Sequence, residues 1–300
     1  MKNIARPVET YRVSLEPGAW REVEAKAKKS ERHKAQNARR RVWASLGALF
    51  LAFSVAGCAQ PSPTVITGSR PSASLPADRL VKYNDTFDQL RGDLYETLTS
   101  PGKKENLANL KIADVAIEDG QLVIRTKTGC FSGAGLVTRY RLRGDFDIQI
   151  DCHMDFLKQV DDMDQMLYLA ILAGRKDRYD LDNRVVIGVG KFSNGPSGVA
   201  CYSADGGRAN RGNTRKIADF HGALRAVRKG NKVTVFCRNG GERKWFELDS
   251  FSFTATDAGF GFVVSNFVPR RTTIKASASI TGRFDNLTIN AAQEIVESEI

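Results

Sequence analysis

The sequence predicts an all-β domain, a sandwich or a barrel, and three observations point there. Short runs rich in β-branched and aromatic residues recur at intervals of roughly 8–15 residues over the last two thirds of the chain. Turn signals separate them: Glu118-Asp-Gly120, Arg143-Gly-Asp145, Lys229-Gly-Asn231 and Arg238-Asn-Gly-Gly241. No stretch of useful length between them carries the 3.6-residue period of an amphipathic helix.

In chain order the candidate strands are Val115–Glu118, Gln121–Thr126, Gly135–Leu142, Phe146–Phe156, Met166–Ala173, Arg184–Val189, Gly198–Tyr202, Ala223–Arg228, Lys232–Arg238, Lys244–Leu248, Gly259–Asn266 and Phe284–Ile289. The clearest is Phe146–Phe156. Side chains alternate across a strand, so Phe146, Ile148, Ile150, Cys152, Met154 and Phe156 share one face, while Asp147, Gln149, Asp151, His153 and Asp155 share the other. One face is built to pack and the other to meet water or a ligand. Met166–Ala173 is apolar on both faces, as a covered central strand would be. Residues 203–216 read as a long polar, Gly-rich loop, and Ala291–Ile300 as a short terminal helix or tail.

The chain carries a formal charge of +11, of which +7 lies in residues 1–57, leaving the remainder at +4. Nucleic-acid binding needs a strongly basic domain face, so no nucleic-acid partner is expected. The apolar run Val42–Gly57 follows Arg39-Arg-Arg41 and ends in Val55-Ala-Gly-Cys58. This resembles a bacterial lipoprotein signal peptide with its lipobox. The run is too short for a comfortable span of about 20 residues. The resemblance implies export, cleavage before Cys58 and a lipid anchor on that cysteine. It places the protein on a membrane, the outer one if the organism has one. The stretch before Val42 is far longer than a usual n-region. Either it is a cytoplasmic extension or synthesis starts nearer Val42. The expected organisation is a signal region at 1–57, a Pro/Ser-rich tether at 58–80, a β-sandwich at 81–290 and a tail at 291–300.

Several segments in order resemble the concanavalin A-like lectin/glucanase superfamily in its laminin-G-like form. They are Asn84-Asp-Thr-Phe-Asp88, Ala116-Ile-Glu-Asp-Gly-Gln-Leu-Val-Ile124, Leu136–Ile148 with its Gly-Asp-Phe, Leu224–Val235 followed by Trp245, Gly259–Val264 and Phe284-Asp-Asn-Leu-Thr-Ile289. The resemblance implies a two-sheet antiparallel jelly-roll sandwich whose curved inner face often holds carbohydrate. The glucanases of that superfamily usually carry Glu-x-Asp-x-x-Glu on one strand. The nearest match here, Glu247-Leu-Asp-Ser-Phe-Ser252, ends in Ser252. No catalytic residue is therefore assigned, and the expectation is a non-catalytic carbohydrate-binding domain. A glycoside hydrolase-like enzyme and a protein-interaction scaffold are the alternatives.

Candidate ligand-binding residues are Asp147, Gln149, Asp151 and His153 on the polar strand face, Tyr168 and Tyr202 as an aromatic platform, and Arg208 and Arg211 in the 203–216 segment. No cofactor is expected. Calcium, which takes 6–8 oxygen ligands, would suit the acidic segments Asp161–Asp164 and Asp177–Asn183. No HExxH or His-rich cluster calls for zinc. Cys130, Cys152, Cys201 and Cys237 match no zinc spacing, and an exported compartment permits disulfides among them.

Overall fold

A computed structural model describes residues 74–98, 110–129, 131–160, 162–174, 179–192, 196–267 and 276–297. Cys58, the apolar run before it, most of the tether and Cys130 lie outside the described residues. Among the described residues there is one short helix, α1 (Ala77–Val81), and fifteen strands. These are β1 (Tyr95–Leu98), β2 (Leu110–Ile112), β3 (Asp114–Glu118), β4 (Gln121–Arg125), β5 (Phe131–Thr138), β6 (Tyr140–Met154), β7 (Asp164–Gly174) and β8 (Tyr179–Lys191). They continue with β9 (Ser197–Asp205), β10 (Arg208–Lys216), β11 (Phe220–Lys229), β12 (Lys232–Asn239), β13 (Phe246–Ser252), β14 (Asp257–Phe267) and β15 (Thr281–Glu297). No described helix is long and apolar enough to cross a membrane.

The strands form two layers. The first runs β3-β4-β15-β6-β11-β12-β13, and the second runs from β1 and β2 on β5 through β14, β7, β8 and β9 to β10. All pairings are antiparallel except β2 with β5. The layers are stitched where Asp257 and Ala258 of β14 pair with Arg143 and Leu142 of β6. Aromatic side chains fill the space between them. Phe146 of β6 meets Phe260 of β14 edge-on at 5.4 Å between ring centroids, and Phe262 meets Phe284 of β15 at 5.8 Å. All four are fully buried. Burying each contributes about 1.5–3 kcal/mol.

Local chemistry explains the elements. In β6, Phe146, Ile148, Ile150, Cys152 and Met154 are buried, while the residues between them are half-buried. The predicted alternation holds through Met154, in a strand that begins earlier, at Tyr140, and ends two residues sooner than predicted. Strand β7 sends Leu167, Leu169 and Ile171 into the main core and Ala170 and Leu172 into a second cluster on the layer's outer face, with Val137 and Val186. The hairpin between β3 and β4 turns at Asp119-Gly120, both with positive φ, as a two-residue hairpin demands.

Three expectations are corrected. Residues 203–216 are not a loop: they form the end of β9, a Gly206-Gly207 turn and the edge strand β10. The open edge of β9 supplies backbone partners that outweigh the poor strand propensity of Arg208–Lys216. Residues 291–297 are neither helix nor tail, because β15 runs on to Glu297 alongside β6. The last part of the predicted tether is docked. Leu75 N donates to Ala292 O at 2.7 Å, and Leu80 of α1 is buried. Cys152, Cys201 and Cys237 are free buried thiols. Burial pushes the Cys201 and Cys237 thiols up to about 12 and about 11.

Candidate functional site

The outer face of the first layer carries a cleft of about 450 Å³ over β6, β11, β12 and β15. Its floor comes from Asp151 and His153 of β6, His221 and Gly222 of β11, and Asp285 of β15; Gln121, Arg238, Asn239, Glu242 and Arg283 form its walls. Gly222 is required there, since a Cβ would sit 2.0 Å from the Arg238 carbonyl oxygen.

Strand pairing brings these residues together from distant parts of the chain. Asp151 and Asp285 are direct partners between β6 and β15, and His153 and His221 are direct partners between β6 and β11. β15 bulges just after Asp285, where the register shifts before Thr288. Asn286 takes a positive φ of 49° in that bulge, a conformation Asn tolerates better than most residues. From there its amide donates to Asp151 Oδ2 at 3.2 Å, while its backbone N donates to Asp285 Oδ1 at 2.7 Å. The Phe284-Asp-Asn motif thus turns an irregular strand into a support for the cleft.

The electrostatics are mixed. Burial raises the Asp151 carboxyl above its ordinary range, against the pull of Asn286 and Arg238, and Asp285 adds to the rise. Glu242 is held below its ordinary range, chiefly by Arg215. Arg215 Nη1 donates to its Oε2 at 2.8 Å, and a second, shorter contact joins Nη2 to Oε1. Asp155 lies beyond the end of β6 and accepts from both histidines, 3.1 Å from His153 Nε2 and 2.9 Å from His221 Nε2. These two bonds hold its carboxyl low, His153 contributing first. Arg238 stacks over Trp245 at 4.7 Å from the ring centroid, and Arg225 lies 5.5 Å from the same ring.

The predicted site residues divide between places. Asp151 and His153 line the cleft. Asp147 and Gln149 share their face but are engaged: Asp147 binds Arg225 through two contacts, one at 2.8 Å, and Asn290 reaches both Asp147 and Gln149. Tyr168 and Tyr202 lie on the outer face of the other layer, packed against the second apolar cluster. Arg184 Nε donates to the Tyr202 hydroxyl at 3.2 Å, and burial raises the Tyr168 hydroxyl. They therefore provide no platform for the polar face of β6. Arg208 and Arg211 are exposed on edge strand β10. Sequence reasoning missed Asp285, Arg238 and His221 as cleft residues.

The other acidic segments have structural partners. Glu247 is exposed, and Asp249 accepts from Asn213 N at 3.2 Å, holding the bulge of β10. Asp162 accepts from Ser277. Asp180 accepts from Asp182 N and the Asn183 amide. Asp161 and Asp177 lie outside the described residues. Among the described residues, the set suited to a metal ion is His153, Asp155 and His221.

No protein-family model matches the sequence, and neither does any curated protein. Solved structures do match in shape. The beta-glucanase of Bacillus licheniformis superposes with a TM-score of 0.52 at 10% identity, over 69% of this chain and 96% of its own. The domain has the concanavalin A-like jelly-roll fold. A beta-1,3-1,4-glucanase (lichenase) from a mouse hindgut metagenome gives a TM-score of 0.49 at 10% identity, over 69% and 97%. A glycoside hydrolase family protein from Mycobacterium thermorestibile gives 0.48 at 13%, over 69% and 99%. At such identities the likeness of this jelly roll to the glucanase extends to the fold alone.

Proposed function

We propose that this chain is an exported, lipid-anchored envelope protein whose jelly roll binds a saccharide in the cleft over β6, β11 and β15. The observation that carries the binding function is the lining itself. Asp151, Asp285, Gln121, Asn239, Arg238 and Arg283 set planar acceptors and donors side by side in one open cleft. Sugar hydroxyls both donate and accept, and such groups meet them in pairs. The two aspartates are balanced by the guanidinium groups of Arg238 and Arg283, which suits a neutral or weakly charged saccharide. A superposable fold in a beta-glucanase supports the same ligand class. A glycan array with the full-length protein tests it: retention on one saccharide class supports it, and binding to no saccharide sinks it.

A second function, glycosidic-bond hydrolysis, is favoured by the Asp151–Asp285 pair. Direct partners on antiparallel strands hold their Cβ atoms about 4.5–5.5 Å apart. Retaining glycosidases use two carboxyl groups about 5–5.5 Å apart, one of raised pKa as the acid. Asp151 is the raised member. Reducing-end release from a bound polysaccharide, abolished by Asp151→Asn, would establish turnover; binding without release leaves the lectin function standing.

The lipid anchor rests on the lipobox sequence. Cys58→Ser should leave an unlipidated precursor. Unchanged mass and membrane partitioning in that variant would reject the anchor.

A further inference from the structure

We infer that His153, Asp155 and His221 form a binding site for one divalent transition-metal ion of the zinc class, at the rim of the cleft. The two imidazoles face each other across β6 and β11, 3.6 Å between centroids and tilted by 38°. Both Nε2 atoms converge on one carboxylate, each on a different oxygen, at 3.1 and 2.9 Å. All three ligand atoms lie within 4.8 Å of one another. An ion between them needs bonds of about 2.0–2.2 Å to nitrogen and oxygen, a spacing that small side-chain rotations reach.

The local backbone explains the convergence. On a continuing strand, successive same-face residues stand about 6.6–7 Å apart. Strand β6 ends at Met154, so Asp155 is released from that spacing. Its carboxylate reaches back to both rings, one oxygen to each Nε2. Occupied by hydrogen bonds alone, the carboxylate takes an Nε2–H from each ring. Occupied by metal, each ring carries its proton on Nδ1 and offers the Nε2 lone pair.

The donor set selects the ion. Two imidazole nitrogens and one carboxylate suit zinc and its neighbours in the transition series. Calcium asks for 6–8 oxygens and magnesium for octahedral oxygen ligands, which this trio does not supply. Three protein ligands leave a fourth position open, as in catalytic rather than structural zinc sites. His153 and His221 also line the cleft, so a bound ion would sit at the rim of the space assigned to the saccharide. The metal site stands on these three side chains and holds whether or not a sugar binds.

The test is a titration of the full-length protein, stripped with a chelator, with Co²⁺ and then Zn²⁺. The expected result is one Co²⁺ per chain, with the visible absorption of a tetrahedral site, displaced by Zn²⁺. His153→Ala and His221→Ala should each weaken binding by about tenfold or more, since even outer partners of metal ligands are worth 10–100-fold. X-ray absorption of the zinc-loaded wild type covers the case of a variant that misfolds. It should show two imidazole nitrogens at about 2.0–2.1 Å. Binding of neither ion at one equivalent, binding that both alanine variants leave intact, or a zinc shell without two imidazoles would overturn the site.

Discussion

Asp151 and Asp285 face each other across β6 and β15 as a direct register pair, on the floor of a cleft whose walls carry Arg238 and Arg283. Two acids in one pair position repel, which is unfavourable for the fold. The pair is supported by two side-chain amides: Asn286 donates to Asp151 and Gln121 donates to Asp285.

That arrangement separates binding from stability. Asp151→Asn keeps the shape, removes the burial penalty of a charge, and loses an acceptor for sugar hydroxyls. Hydrogen bonds to charged groups are worth about 1.5–3 kcal/mol. Saccharide affinity should fall by about tenfold or more while the melting temperature at pH 7 does not drop. Calorimetric titration and thermal unfolding on the same samples check both.

Asp147 should behave in the opposite way. It and Arg225 form a largely buried pair, with side-chain exposures of 14% and 18%. Removing one partner strands the other. Asp147→Ala should therefore destabilise the domain by about 1–3 kcal/mol and leave saccharide affinity within about twofold. Urea unfolding and binding, measured in parallel, distinguish this support role from a place in the cleft.

Stability should respond to acid through two groups of opposite sign. Glu242 has a folded pKa below its unfolded value because of Arg215. Its contribution is complete above about pH 4.5 and is lost as the pH falls through the folded value. Asp151 has a raised folded pKa, so it favours folding at low pH and that advantage fades as the pH climbs past its folded value. Glu242→Gln should flatten the acid-side fall of the melting temperature, and Asp151→Asn should steepen it. Melting curves between pH 3 and 7 show whether the two slopes move in opposite directions.

The core makes a plainer demand. Phe146 is fully buried and edge-on to Phe260 across the two layers. Phe146→Ala should cost about 3–5 kcal/mol, read as a shift of the urea midpoint with little change in slope.

Much of the fold is written locally, and the site is not. The alternation of Phe146–Met154 and the two-faced apolarity of Leu167–Leu172 are visible because each depends on a period of two within one strand. The same parity cannot say which layer a strand joins. That is why Asp151 and Tyr168, both read as ligand contacts, stand on opposite outer faces of the sandwich. His221 meets Asp155 across 66 residues of chain, and Asp285 meets Asp151 through register alone; neither spacing forms a motif. Edge strand β10 was hidden for another reason. Arg208–Lys216 has no apolar alternation and takes its conformation from the edge of β9.

The most direct measurement compares saccharide binding by the full-length wild type, Arg238→Ala and Tyr202→Ala on one glycan array. A saccharide site over β6, β11 and β15 predicts retention by the wild type, loss by about tenfold or more in Arg238→Ala, and near-wild-type binding in Tyr202→Ala. Binding that survives in Arg238→Ala and disappears in Tyr202→Ala would place the ligand on the other layer and contradict it.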